Sequence, residues 1–470
     1  MIIKEQTVCD IRILSTEILL DTETPISLYL RVRNLSIPSF LLESVEEGNN
    51  VGRYSIVGWG CLKKFIGYHD KVIINERQIK TKGVFKELEK FITGYDLNQD
   101  GAFNGFYGYM GYDSVYEIEP TISTNPVYGE LPIAYFILPE VLAVFDKLSH
   151  KVKFIFNLHI NGESPDINNL INNVLSAKIN SDIYLKGITG QEKDREFKSN
   201  CTKKEFTDMV KQAKEYIFSG DIFQVVLSQR FSVDYSGDPF EIYRYLCSLN
   251  PSPYMFYFQF EKDFYIMGTS PEIMLKKEGT KLTIRPIAGT RKRGITAKED
   301  DVIQKELLED EKENAEHLML VDLARNDLNR ICKSDSVKVD AFKTIEKYSH
   351  VMHIVSSVTG NMEDPNAIIS AIKASFPAGT LSGAPKVRAM QIIRELENNP
   401  RQIYGGMVGY FDFQKNFDSC ITIRSILIDH NKAYFQAGAG IVADSDPDYE
   451  YEETISKAKA MLKALSSSKG

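Results

Sequence analysis

The sequence is short of several things, and each shortage removes a class of function. It has one tryptophan and seven histidines in 470 residues, and its six cysteines (Cys9, Cys61, Cys201, Cys247, Cys332, Cys420) are scattered with no Cys-x-x-Cys. That spacing offers neither a zinc site nor a disulfide framework, and it points to a reducing, cytoplasmic setting. No apolar run reaches the length of a membrane span. The first residues, MIIKEQTVCD, lack the basic stretch and apolar run of a secretion signal. Base is not in excess either. The formal net charge is −8 with both signs interspersed, which argues against a nucleic-acid surface. There is no fixed-period repeat and no low-complexity tract. What remains is the composition of a soluble globular enzyme, in a chain long enough for two domains or one elaborate one.

Residues 1–165 read as a β-rich N-terminal domain. Strand patterns recur at Ser39–Ser44, Arg53–Val57, Lys71–Ile74, Pro132–Leu138 and Lys151–Phe156, around a Gly/Tyr-rich run, Asn104–Tyr112. One helix, roughly Gly83 to Thr93, interrupts them. Residues from about 161 to 200 are polar, with one weak helical pattern at Ile167–Leu175, and are assigned to a linker. A second domain, 195–468, alternates helices and strands. Capping boxes at Thr202–Glu205 and Thr296–Glu299 start helices, and the second helix is predicted to run to about Leu328. One strand is predicted across Ser419–Leu427, small-residue turns at Pro286–Arg293 and Gln436–Gly440, and a last helix at Tyr449–Leu465.

Two helices carry paired carboxylates. Glu313 and Glu316 share a face. The apolar residues Leu318 to Ala324 fall all round that helix, which predicts a buried element. On the last helix Glu450, Glu453 and Lys457 share a face. Two Glu-x-x-Glu helices converging on a hard cation would suit Mg²⁺. Solvated acidic helix starts, favoured by the helix dipole, remain the alternative. Thr380–Lys386 opens a helix with Pro385 in its first turn, a start able to hold a carboxylate or phosphate. Plain capping explains it equally well. Arg424, in an apolar strand, calls for an anion such as a substrate carboxylate. His350 and His353 stand three apart. A strand would turn them to opposite faces, which favours one catalytic histidine over a zinc pair. Together these residues suggest a pocket for a small polycarboxylate with Mg²⁺ and an acid/base group.

Pro286–Thr290, Glu313–Asp327, Phe376–Lys386, Tyr404–Asp412 and Gly438–Gly440 together resemble the chorismate-utilising enzymes, in order and from about residue 200 to the end. The resemblance implies an α/β fold, a two-part sandwich with a cleft between its β-sheets and helices outside. It implies Mg²⁺ ligation by Glu316 and Glu453, with Glu313 and Glu450 as an outer pair. Chorismate would be held by Gly438, Ala439 and Gly440 at its ring carboxylate. Tyr404 and Arg424 would hold its enolpyruvyl carboxylate, with Gly289, Thr290, Thr380 and Lys457 as further contacts. Glu272 becomes the acid for departure of the ring hydroxyl, and His353 assists the elimination of pyruvate; Thr380 joins them as a catalytic residue.

Gln224 stands where water-adding relatives carry a lysine base, and Ala288 where many aminodeoxychorismate synthases carry a lysine. Both resemble the anthranilate-forming branch, as does Cys420. The runner-up is the aminodeoxychorismate branch of folate synthesis; an inactive tryptophan-sensing scaffold is the alternative of a different class. Leu41–Ser44 and Asn250–Met255 resemble the tryptophan feedback site of the anthranilate-forming branch, which implies inhibitor contacts from Glu43, Ser44, Asn250, Pro253, Tyr254, Met255 and Cys420. The chain has no Gly-x-Cys-x-Gly setting for a glutaminase cysteine. Glutamine-dependent activity then implies a separate amidotransferase subunit, in a heterotetramer, with no nucleic-acid or membrane partner.

Overall fold

A computed structural model describes residues 2–45, 52–97, 101–122, 128–179, 197–347 and 351–468; His350 and linker residues 180–196 lie outside them. Its core is two large antiparallel sheets. The first runs Lys4–Val8, Ile11–Leu19, Lys151–His159, Val141–Asp146, Tyr54–Trp59, Ser39–Glu43, Tyr254–Glu261, Phe264–Ser270, Ser425–Asp429, Lys432–Ile441, Gln224–Asp234 and Lys198–Ser199. The second runs Ile287–Lys292, Val351–Asn361, Lys281–Ile284, Ile273–Glu278, Phe417–Ile421, Met407–Asp412, Gly105–Met110, Ala134–Leu138, Lys63–Gly67, Lys71–Ile74 and Arg77–Lys80. Strands from before residue 160 and from after residue 197 thus share both sheets.

The sheets face each other across an aromatic core. Phe40 of the first stacks on Tyr107 of the second at 4.6 Å, and Tyr135 meets Phe260 at 4.5 Å. Burying such rings supplies much of the drive to fold. Helices cover the outer face of the first sheet. Pro25–Val32, Pro239–Leu249 and Pro447–Ser467 pack there around Tyr29, Phe240, Tyr257 and Met461. Lys203–Phe218 and Lys386–Leu396 close its far end over Leu227 and Ile441.

Several local expectations fail, each for a readable reason. The long helix is two, Ala297–Glu309 and Glu311–Asn329. Asp310 divides them in an extended conformation, and its carboxylate accepts from the Glu313 N–H at 3.1 Å. Aspartate competes for backbone donors and so favours caps over helix interiors. Glu313 therefore lies in a first turn, not deep in a helix. That helix is not buried all round either. His317, Leu320, Val321, Ala324 and Leu328 face inward, while Leu318 is 45% exposed.

Gln436–Gly440 is no turn but part of the strand Lys432–Ile441. Pro286–Arg293 is mostly the strand Ile287–Lys292, bulged between Ala288 and Thr290 with Gly289 at φ +64°. Pro385 is the cap before its helix and not its first turn. Ser419–Leu427 is two strands in different sheets. The strands Ile11–Leu19, Lys63–Gly67 and Val141–Asp146 and the helix Pro25–Val32 have no counterpart in the sequence reading.

Candidate active site

Among the described residues the chain passes from one sheet to the other within a few residues at four places, and two of these crossings carry candidate residues. Phe264–Ser270 belongs to the first sheet and Ile273–Glu278 to the second; Phe417–Ile421 belongs to the second and Ser425–Asp429 to the first. Glu272 and Arg424 stand at these two crossings. Backbone bonds stitch the crossings together: Ile421 N–H donates to the Glu272 carbonyl at 3.0 Å, and Thr269 N–H to the Arg424 carbonyl at 3.2 Å. Arg424 takes φ +48°, a region costly for a side chain with Cβ. That left-handed residue is what breaks the predicted single strand.

Glu272 is 8% exposed, and burial pushes its carboxyl up to about 8. The Thr380 hydroxyl, donating to Glu272 Oε1 at 2.9 Å, and the Arg424 charge both oppose that rise. Near neutrality this carboxyl is protonated, the state a general acid needs. His353 lies on the strand beside the Gly289 bulge. Its Nδ1 meets both the Gly289 carbonyl, at 3.1 Å, and Thr290 Oγ1, at 3.0 Å. A carbonyl only accepts, so Nδ1 carries the proton and the lone pair lies on Nε2. Burial lowers the His353 pKa against the Gly289 bond, and Arg424 lowers it further. Arg424 thus acts electrostatically on Glu272 and His353 alike.

Gly438, Ala439 and Gly440 lie on the strand Lys432–Ile441. Ser425–Asp429 pairs with it only up to Phe435, so among the described residues its last stretch has Gln224–Asp234 on one side alone. A Cβ on Gly438 would stand 2.8 Å from the Tyr404 hydroxyl and 2.8 Å from the Leu227 carbonyl oxygen. One on Gly440 would lie 2.7 Å from Gln224 Nε2. Glycine is required there because backbone and side chains approach so closely.

The carboxylate helices flank this strand. Gln224 Nε2 donates to Glu316 Oε1 at 3.2 Å. Lys457 Nζ pairs with Glu453 Oε1 at 2.6 Å and donates to the Gly438 carbonyl at 3.0 Å. Both acids are therefore tied to one pair of strands. Glu313 Oε1 pairs with Arg291 at 2.9 Å, and its other oxygen would lie 3.2 Å from a Cβ on Gly289. Glu450 is buried, and among the described residues its Oε2 has no hydrogen-bond partner. Burial, then the neighbouring Glu453, raises its pKa, and Lys312 of the first carboxylate helix lowers it. Among the described residues no three His, Cys, Asp or Glu side chains form a closed metal cage. The all-oxygen donor set and the orphaned Glu450 oxygen fit a hard cation.

The expected inhibitor residues border the crossings at Glu272 and Arg424: Ser39–Glu43 and Tyr254–Glu261 are neighbouring strands with Glu43 opposite Met255, Met255 pairs with Thr269, and Cys420 pairs with Ile273. Glu43 accepts from the Tyr243 hydroxyl at 2.9 Å, and burial raises its pKa. The Ser44 hydroxyl is buried without a hydrogen-bond partner among the described residues. Lys147 donates to the Ser44 carbonyl at 2.7 Å, and Tyr254 to Asp418 at 2.7 Å. Burial raises the Cys420 thiol. Asn250 ends the Pro239–Leu249 helix, and Pro253 directly precedes Tyr254. Sequence reasoning missed Arg291 and Lys312 as cations at the carboxylates, and the Glu397–Arg401 pair near Tyr404. The base flanking Gly289 signalled Arg291; nothing local signalled the rest.

A model of the chorismate binding enzyme family matches residues 37–463. Anthranilate synthase component 1 of Aquifex aeolicus (strain VF5) is 45% identical over 96% of this chain and 94% of its own length. That of Acetivibrio thermocellus is also 45% identical, with the same coverage. The crystal structure of anthranilate synthase component I from Streptococcus pneumoniae TIGR4 superposes with TM-score 0.79 at 33% identity, over 95% of this chain and 98% of that one. Escherichia coli MenF, a menaquinone-specific isochorismate synthase, shares the fold with TM-score 0.74 at 18% identity, over 98% and 96% of the two chains. Among the described residues no helix is long and apolar enough to cross a membrane. With its paired sheets, its crossings at Glu272 and Arg424 and its carboxylate helices, the chain belongs to the chorismate-binding enzyme family, in the company of anthranilate synthase component 1.

Proposed function

We propose that the protein is the synthase subunit that converts chorismate and ammonia to anthranilate, pyruvate and water in the cytoplasm, the first step toward tryptophan. The observation that carries this reading is the buried Glu272 carboxyl, its pKa raised and bonded by Thr380 at the crossing beside Arg424, in a chain whose paired carboxylates are tied to the strands of Gln224 and Gly438. The backbone of Gly438–Gly440 takes the ring carboxylate of chorismate. Arg424 and Tyr404 take the enolpyruvyl carboxylate, with Gly289, Thr290 and Lys457 shaping the pocket. Ammonia adds at ring C2 as the C4 hydroxyl leaves, and Glu272 gives that hydroxyl its proton. His353 Nε2 then takes the C2 proton as pyruvate departs and the ring becomes aromatic. Gln224 cannot serve as a base to activate water, and Ala288 cannot form a covalent adduct, which supports ammonia as nucleophile.

Glu316 and Glu453, backed by Glu313 and Glu450, would hold Mg²⁺, which when bound neutralises the ring carboxylate. Tryptophan inhibits from the region of Glu43, Ser44, Asn250, Pro253, Tyr254, Met255 and Cys420. Ammonia comes from a glutamine amidotransferase subunit, two copies of each forming a heterotetramer. The test is direct. Purified chain with chorismate, Mg²⁺ and ammonium at mildly alkaline pH yields blue-fluorescent anthranilate and equimolar pyruvate, and tryptophan suppresses both. Consumption of chorismate to a 4-amino product alone would refute the reading.

A further inference from the structure

We propose that Arg401 is a positioning residue for this reaction, one guanidinium that sets the Thr380 turn, the strand opposite Gly438–Gly440 and the Tyr404 ring in register. The inference rests on the function proposed above. Arg401 is 3% exposed. Its Nε donates to Glu397 Oε2 at 2.8 Å, its Nη1 to the Leu381 carbonyl at 2.6 Å, and its Nη2 to the Val226 carbonyl at 2.7 Å and to Glu397 Oε1 at 2.6 Å. The guanidinium also lies over the rings of Tyr112, at 4.8 Å, and Tyr404, at 5.7 Å.

Each of these targets is one step from a group facing the substrate. Leu381 follows Thr380, whose hydroxyl donates to Glu272. Val226 pairs with Gly440. Glu397 Oε1 also accepts from the backbone N–H and the hydroxyl of Ser228, each at 2.8 Å, and Ser228 pairs with Gly438. Tyr404 holds its hydroxyl against Gly438. Arg401 reaches the reacting centre through these neighbours, so its effect is on geometry. A planar fork can serve three directions at once, which a lysine ammonium on a flexible stem cannot.

A residue that merely stabilised the core would change melting temperature and little else. The distinguishing readout is the alkaline limb of kcat against pH, measured at saturating chorismate with free NH₃ held constant. Activity falls there as Glu272 loses its proton in the complex. In Arg401→Lys the Leu381 carbonyl is released and Thr380 slips from Glu272. The carboxyl loses a bond that favours its charged form, so the limb moves to higher pH while kcat falls about tenfold or more. Thr380→Val gives the same displacement, and the double variant adds nothing to it. A lower melting temperature with the limb unmoved overturns the proposal. Glu397→Gln, which loosens the clamp from its other end, is measured in parallel; should Arg401→Lys not fold, it decides by the same two outcomes. Failure of the unaltered chain to make anthranilate refutes the function itself, and this is seen before any variant is compared.

Discussion

The two ends of the candidate cleft are built on opposite principles. At the carboxylate end, Glu313, Glu316 and Glu453 are half-buried and each is tied to a donor: Arg291, Gln224 and Lys457. Cations surround that end, and its acids come from the opening turns of two helices. At the interior end, Glu272 and His353 are buried, and burial works against the charged form of both. Their frame is two sheet crossings and a strand bulge. A site can thus hold charge at one end, where cations compensate it, and neutral proton donors and acceptors at the other, where burial outweighs the nearby Arg424 charge.

The sharpest way to break this contrast is Glu316→Gln. If the carboxylate end holds the ion, turnover falls roughly a thousandfold while melting temperature and tryptophan binding persist, and excess Mg²⁺ does not restore it. Turnover near that of the unaltered chain would erase the distinction between the two ends.

Glu272→Gln probes the interior end. Turnover falls about a hundredfold for loss of the acid. Stability moves the other way, with a definite sign. The folded pKa, about 8, stands above the unfolded value of 4.5. The folded state therefore holds a proton that the unfolded chain releases between those values. Stability is full below the lower one and declines as pH rises to the upper one. Glu272→Gln should then raise the melting temperature at pH 8 and leave it unchanged at pH 4; an equal change at both would mean that Glu272 is ionised in the folded protein.

Gly289→Ala tests the frame that joins the ends. At φ +64° a Cβ is strained and would meet Leu307 at 3.0 Å and Glu313 at 3.2 Å. The expected loss is about 1–2 kcal/mol in urea unfolding, with reduced turnover because His353 loses its anchor. The smallest effect on turnover is expected of Ser44→Ala, which makes no contact with Glu272, His353 or the paired carboxylates among the described hydrogen bonds. Removing a buried hydroxyl that lacks a hydrogen-bond partner among the described residues should leave turnover without tryptophan within about twofold and weaken tryptophan inhibition roughly fivefold. Unchanged inhibition would move the inhibitor site elsewhere.

Much of the carboxylate end was legible because helical periodicity is local. Glu450, Glu453 and Lys457 share a face wherever their helix lies, and the Thr202 and Thr296 capping boxes appear as expected. At the interior end Arg424 and His353 stood out by residue type, and Glu272 only through a family motif. No periodicity marks Glu272 or Arg424, because each sits where the strand pattern stops and the chain changes sheets. The same limit explains the lost boundary at Asp310: its neighbours read as helix on both sides, and only its capping bond to Glu313 shows the break.

Spacing and ordered motifs alone reveal which helices carry acid pairs, where many of the strands lie and which family the chain resembles. They did not decide that strands from both halves would join edge to edge in two shared sheets, nor that the crossings at Glu272 and Arg424 would lie side by side. Those depend on contacts between residues far apart in the chain, and no local pattern encodes them. The proton on Glu272 belongs with them: a glutamate becomes an acid near neutral pH only when the folded chain removes water from around it.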